Sequence, residues 1–459
     1  MKEINTMSRL ENALRYYNER SEASRLRETT GIELNRKGDA EITVSVPDGQ
    51  PLPTEITLEV EQKNHEFRFG ANLFMLDELE TPEKNAIYRQ KFPELFNLAT
   101  IPFYWSTLEP ERGKPRFAAD SPKIYRRPPI DLCIDYCREN GIEPKCHCLN
   151  YNTFAPEWIK GMSDTEYRQA LEERMRIIAE RYADVIPSFE VTNETMNGER
   201  SDRRDFWNAD DYLEWSYRKA DQYFPYNRLI INEAFSKILV DMGHNNRNPY
   251  YMLIERLLRN GITHLDSIGM QFHSFFPIEN EEKAAARRYN PDWLFGLMDL
   301  YARFRIAEQI TEMTIPSYSN DPEDEHVQAE LLTALYRTFF SHPAMEAIIY
   351  WNLVDGYAHV WSQDYEAIRA SQGNMAMGEN KYYGGLLRFD MSEKPAFTAL
   401  KKLIHVEWHT SLHVPVIDGK AKFRGFYGDY RITAHADGKA VPVDFTLSKH
   451  KPAKGTILL

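Results

Sequence analysis

The sequence predicts an α/β protein, a (β/α)8 barrel of the TIM type carrying a small discontinuous β-sandwich made from its N- and C-terminal segments. Two observations carry this. Between residues 66 and 406, eight short apolar runs alternate with stretches whose apolar residues recur at three- and four-residue steps, the texture of parallel strands separated by packed helices. On either side the pattern changes to apolar–polar alternation broken by Asp-Gly steps, which is the texture of antiparallel sheet.

In chain order, residues 1–37 are expected to form an N-terminal helical segment. Residues 40–62, AEITVSVPDGQPLPTEITLEVEQ, read as two strands and a turn around an Asp-Gly and two prolines. The candidate barrel strands are Phe67–Leu73, Leu95–Thr100, Glu143–Leu149, Ser188–Asn193, Arg228–Asn232, Ser267–Phe272, Ile306–Thr311 and Ala347–Trp351. Amphipathic helices fit 165–183 and 326–341. Over 412–459, VPVIDGKAKF, DYRITAHADGKAV and FTLS are short alternating runs. Neither flank has enough residues for a robust core alone, so 38–65 and 408–459 are expected to pack as one accessory sandwich beside a barrel of 66–407. Bracing the barrel is its expected role. Trp408, Phe423 and Tyr427 are the residues that would serve a carbohydrate platform instead, while Phe426, Gly425 and Gly428 read as turn and core.

The 459 residues carry 56 Lys+Arg against 69 Asp+Glu, a formal net charge of −13. That balance argues against nucleic acid or an acidic membrane as partner, and the oligomeric state is open. No run approaches the roughly 18 apolar residues of a membrane span, and the polar start MKEINTMSRLENALRYYNER has no apolar signal core. As written, the chain is expected to be cytoplasmic, and secreted or periplasmic where a leader has been removed. Four cysteines, Cys133, Cys137, Cys146 and Cys148, fall within sixteen residues. A helix over 131–139 and a strand over 143–149 would let the two pairs pack together as small apolar residues. A metal site is the rival reading, although C-x3-C and C-x-C are not usual zinc spacings.

In a barrel of this kind the site is built at the C-terminal ends of the strands. Strand four ends in Asn193-Glu194, strand five in Asn232-Glu233, strand six in Gln271-Phe272-His273 and strand seven in Glu312. After strand three come His147, Asn150, Tyr151 and Asn152, and after strand eight Trp351 and Asp355. Glycosidic cleavage needs one carboxyl group to protonate the leaving oxygen and another to attack carbon or activate water. Glu194 and Glu312, each where an apolar strand stops, are the best pair by position. The rival reading for either alone is a solvated surface carboxylate.

The ordered set FEVTNET, GMQFHSF, ITEMTI and IIYWNLVDGYAH, with WSTLEPERGKPRF upstream and GGLLRFDMSEKPAF downstream, resembles glycoside hydrolase family 10, the xylanase-type barrels, across 66–406. By that resemblance Glu194 is the general acid/base and Glu312 the nucleophile of a retaining double displacement on xylan or xylan-derived oligosaccharides, with no cofactor and no metal. The resemblance also implies that Asn193 holds the sugar 2-hydroxyl, that His273 donates to Glu312 and keeps it ionised, and that Gln271 and His147 line the subsite beside the scissile bond. Trp351 is expected as an apolar floor. Glu233 is expected to support Glu194 by raising its proton affinity; its rival reading is an exposed salt-bridging glutamate. Local capping for Asn193, a structural histidine for His273 and core packing for Trp351 remain open.

The resemblance breaks on the glycone side. The family's Glu-Asn-x-x-Lys falls on Thr100, Ile101, Pro102, Phe103 and Tyr104, its Trp-His after strand three on Tyr151-Asn152, and its second late tryptophan on His359. Losing three polar sugar partners should change which sugar, or which decorated sugar, is accepted. The alternatives to a plain xylanase are therefore a related glycosidase for a different or decorated β-glycoside, and a non-catalytic carbohydrate-binding barrel.

Overall fold

The computed structural model describes residues 7–48, 50–196, 209, 211–234, 245–362, 364–451 and 453–459. Residues 1–6 of the expected helical segment lie outside them. Fifteen strands, β1 to β15, are described in chain order, and eight of them form a closed parallel barrel. These are β3 (Arg68–Asn72), β4 (Leu98–Pro102), β5 (Glu143–His147), β6 (Ser188–Asn193), β7 (Arg228–Glu233), β8 (Ser267–His273), β9 (Ala307–Thr314) and β10 (Met345–Tyr350), with β10 bonded back to β3. Every residue of β6 is buried, as expected for a strand with the barrel interior on one face and helices on the other.

Most strand boundaries shift by one or two residues from the sequence expectation, and the second and seventh strands shift furthest. Leu95 and Phe96 belong to the turn that closes helix Pro82–Lys91, their N–H groups donating to the Phe92 carbonyl, so the second strand starts only at Leu98. The seventh strand runs on to Thr314, where it still pairs with His273 of β8, and that pairing is bulged: Met270 faces Ile310, but Gln271 faces Glu312. The extra residue, Thr311, lets two successive side chains turn the same way. Both reach Asn232, whose Oδ1 accepts from the Thr311 hydroxyl at 2.5 Å and whose Nδ2 donates to Glu312 at 3.0 Å.

The helices match their sequence signals closely. Asp164–Tyr182 opens with a reciprocal Ser163–Glu166 capping box, and Pro322–Ser341 with Asp321 as cap and proline in its first turn. Helix Glu22–Arg36 packs on the outside of Pro322–Ser341, where the Thr338 hydroxyl donates to Glu28 at 2.8 Å. Gly31 makes that approach possible, since a Cβ there would sit 2.5 Å from the Ser341 carbonyl oxygen. Among the described residues no helix is long and apolar enough to cross a membrane.

The chain ends form two sheets over one core. One sheet has the order β12-β1-β15 and the other β11-β2-β13-β14, where β1 is Lys37–Ser45, β2 Thr57–His65, β11 Ser411–Pro415, β12 Lys420–Phe426, β13 Gly428–Ala436, β14 Lys439–Leu447 and β15 Lys454–Leu458. Ile42, Val44, Leu58, Val60, Phe423 and Ile432 fill the space between them. β1 and β2 do not pair with each other; each lies in a different sheet. The connection between them holds Pro47, Pro51 and Pro53, which lack the N–H a hairpin ladder needs. Trp408 is buried and stacks on Phe340 with ring centres 4.0 Å apart, joining the C-terminal segment to the barrel. All four cysteines are buried free thiols, and burial pushes their pKa values up.

Glu308 on β9 is fully buried, with no partner at either carboxyl oxygen among the described residues. Burial raises its pKa well above the ordinary value, so the folded chain holds a proton that the unfolded chain releases near pH ~4.3. Its contribution to stability is therefore complete below that pH and declines as pH rises toward the raised value. Glu308→Gln is expected to flatten the fall in Tm between pH 5 and 8; parallel curves for the two proteins would refute this.

Candidate active site

A cavity of about 520 Å3 opens at the C-terminal mouth of the barrel, with both Glu194 and Glu312 in its wall. Glu194 sits one residue past β6 in a left-handed backbone conformation, φ 52°. For a residue with a Cβ this costs about 1–3 kcal/mol and persists where surrounding structure imposes it. Here its N–H is anchored to the Asn232 carbonyl at 3.1 Å. Its carboxyl group accepts from the Tyr151 hydroxyl at 2.9 Å and from Gln271 Nε2 at 3.0 Å.

Glu312 is held from three sides. Oε1 accepts from Asn232 Nδ2 at 3.0 Å and Gln271 Nε2 at 3.1 Å, while Oε2 lies 3.1 Å from His273 Nε2. One nitrogen of Gln271 thus bonds to both carboxyl groups, which keeps the two bonded oxygens within about 6 Å of each other. Retaining glycosidases need about 5–5.5 Å between the groups and inverting ones about 6.5–9.5 Å.

Burial pushes Glu312 up to about 8, with Glu190 and Glu194 adding to the shift and His147 and Lys145 opposing it. Burial drives His273 down to about 4, so its ring is neutral at pH 7. Thr314 Oγ1, 3.0 Å from Nδ1, can donate there and leave Nε2–H to point at Glu312. The ring is also stacked on Phe275 at 4.5 Å. Behind this layer lies a buried Lys145–Glu190–His147 cluster. Burial opposes the Glu190 charge, yet Lys145 and His147 hold that carboxyl down at about 2. Burial likewise works against a charged His147, and Glu190 outweighs it and raises the pKa. His147 Nε2 meets the Tyr104 hydroxyl at 3.0 Å.

Of the residues singled out by sequence, Glu194, Glu312, Asn193, His147, Gln271, His273, Trp351 and Tyr151 all line this cavity. Asn193 Oδ1 accepts from Asn232 at 2.9 Å and lies 3.3 Å from Gln271 Nε2, which leaves the amide NH2 of Asn193 as its available donor. Trp351 packs edge-on against Phe74 at 5.2 Å and His147 at 5.6 Å. Glu233 is not an exposed salt-bridging group. It is fully buried behind the wall, accepting from Thr195 Oγ1 at 2.5 Å and Met196 N at 2.9 Å, and burial pushes it up to about 7. It therefore fixes the turn after Glu194. Asn152 is not among the lining residues; it opens the short turn Asn152–Phe154, whose Thr153 and Phe154 reach the cavity instead.

Sequence reasoning missed Arg126, Arg127, Phe275, Arg288, Trp361 and Glu379, all of which line the cavity. Trp361 is 63% exposed, and its place two residues after His359 in the loop beyond strand eight was the available signal. Nothing local distinguished the arginines from solvated ones.

The family model Glycosyl hydrolase family 10 matches residues 63–402. Over 432 residues the chain is 23% identical to the anti-sigma-I factor RsgI6 of Acetivibrio thermocellus, covering 92% of this chain and 48% of that protein. It is 22% identical over 261 residues to endo-1,4-beta-xylanase B of Cellvibrio japonicus, covering 55% of this chain and 38% of that protein. The chain thus spans under half the length of these two relatives. Native xylanase 10B from Thermotoga maritima has a similar fold, with a TM-score of 0.56 at 21% identity over 74% of this chain and 96% of that one.

Proposed function

The chain belongs to glycosyl hydrolase family 10, and from that premise we propose that it hydrolyses β-1,4-xylosidic bonds in xylan or xylan-derived oligosaccharides with retention of anomeric configuration. The observation that carries this reading is the Gln271 bridge, which keeps the bonded oxygens of Glu194 and Glu312 within about 6 Å, short of the roughly 6.5–9.5 Å of inverting enzymes.

Glu194 gives its proton to the glycosidic oxygen as the C1–O bond breaks, and a Glu312 carboxylate oxygen bonds to C1. Water then attacks C1 from the vacated side, Glu194 takes a proton from it, and the C1–Glu312 bond breaks. Two inversions give net retention. Tyr151 orients Glu194, and the donors on Glu312 stabilise its charge as the leaving carboxylate of the second step. Asn193 offers an N–H to the 2-hydroxyl, and Trp351 supplies an apolar surface under the ring.

The test is incubation with xylan, arabinoxylan, β-glucan and aryl β-glycosides, followed by product sizing and identification of the first anomer released. Xylo-oligosaccharides in the β form support the proposal, and an α first product would overturn it. Attack requires ionised Glu312, which burial pushes up to about 8 against the opposing charges of His147 and Lys145. The acid limb of kcat/KM is therefore expected above the ordinary carboxylate value of ~4.3, with activity lost as pH falls through it. A limb at or below ~4.3 would contradict the dominance of burial.

A second reading is a carbohydrate-binding barrel without turnover. It is favoured by the altered glycone side, where Tyr104 bonds His147. Binding without product would select it.

A further inference from the structure

The loop before helix Ile130–Asn140 sends two arginines into the cavity wall, next to the position where the family's polar clamp is absent. Arg126 and Arg127 are 2% and 3% exposed, and both line the cavity. Their donors are largely unspent. Arg126 Nη2 reaches Asn352 Oδ1 at 3.1 Å and Arg127 Nη1 reaches the Arg126 carbonyl at 2.7 Å, but Nε and Nη1 of Arg126 and Nε of Arg127 have no acceptor among the described residues. A guanidinium cannot escape this cost by losing its proton, so a buried one normally has an anion beside it.

The protein supplies a poor one. Glu379 is the cavity carboxyl that acts on Arg126, but burial raises its own pKa, which weakens its charge. It also accepts from Asn352 Nδ2 at 3.4 Å, the same side chain that occupies Arg126. Arg127 lies with its guanidinium carbon 4.2 Å from the centre of the Tyr104 ring. Stacking of this kind holds a guanidinium by its face and leaves its N–H edge for another partner. Tyr104 stands where the family's lysine would be and also bonds His147, which packs on Trp351. The arginine pair is thus one side-chain layer from the floor of the reacting sugar.

The geometry points to an acidic-sugar subsite, in which Arg126 and Arg127 bind the carboxylate of a uronic-acid unit carried by the β-glycoside that Glu194 and Glu312 cleave. This rests on the hydrolase reading of the same cavity and names its substrate class. The planar N–H edges suit a planar carboxylate, which can take two parallel hydrogen bonds. A net charge of −13 repels acidic polysaccharide at long range, and that repulsion is screened beyond about 8 Å at physiological salt. Buried cations at the point of contact are what an acidic ligand would need.

The test uses xylotriose bearing a glucuronic-acid substituent and the same compound with its carboxyl reduced to the alcohol. Glu312→Gln protein, with both arginines intact, is titrated calorimetrically with each. The acidic compound is expected to bind about tenfold or more tightly, with the preference weakened in high salt. Equal affinity, or tighter binding of a sulfated analogue than of the carboxylate, overturns the assignment. In turnover, the kcat/KM ratio for acidic over reduced substrate should collapse in Arg127→Met, through KM more than kcat, while a wild-type ratio near one would contradict it. Carboxylate-selective binding without cleavage by the wild type leaves this inference standing and removes the hydrolase reading; cleavage without selectivity does the reverse.

Discussion

Glu312→Gln is expected to lower kcat/KM on xylo-oligosaccharides by about 10^4-fold or more while leaving oligosaccharide binding within a few-fold of wild type. The substitution keeps the shape of the side chain and one carbonyl oxygen, which can still accept from Asn232 and Gln271. It removes the proposed nucleophile, since an amide cannot form and release the glycosyl ester. Its new NH2 would face His273 Nε2, so a flipped histidine tautomer is a foreseeable accommodation. Turnover near the wild-type rate would show that the attacking group lies elsewhere.

Glu194→Ala is expected to separate the two chemical steps. On unactivated xylo-oligosaccharides the leaving group needs a proton, and the loss should be about 10^2–10^4-fold. On a dinitrophenyl β-xylobioside the first step needs no proton, so a fast burst should precede slow release of the glycosyl-enzyme. Azide, which attacks without general-base help, should restore turnover and yield the β-glycosyl azide. Equal losses on both substrates with no azide rescue would remove Glu194 from the acid/base role. The variant also strips an acceptor from Tyr151 and Gln271, so the burst on the activated substrate is what distinguishes lost proton transfer from a disordered site.

Much of this arrangement was legible in the linear text because barrel strands are short, mostly apolar and largely buried. A carboxylate at the end of such a run, as at Glu194 or near the end of β9 at Glu312, stands out against its surroundings. Position along a strand also implied direction, since every parallel strand points its C-terminal end the same way. What depended on tertiary context was not legible. Nothing in the local sequence marks Arg126 and Arg127, and only burial beside Tyr104 makes them unusual. The β9 bulge that aligns Thr311 with Glu312 is a property of its pairing with β8. The split of β1 and β2 between two sheets depends on strands near the far end of the chain. Asn152 failed by one residue, because a short turn hands the cavity to Thr153 and Phe154.

That split has a consequence for biosynthesis. β1 is translated before the whole barrel, yet its two neighbours, β12 and β15, are translated only after it. At about 5–20 residues per second, its Ile42 and Val44 wait on the order of tens of seconds with both edges unsatisfied. Chain elongation rather than the folding barrier thus sets the earliest moment at which these edges close, and any product stalled before β12 would carry an adhesive strand with both edges open.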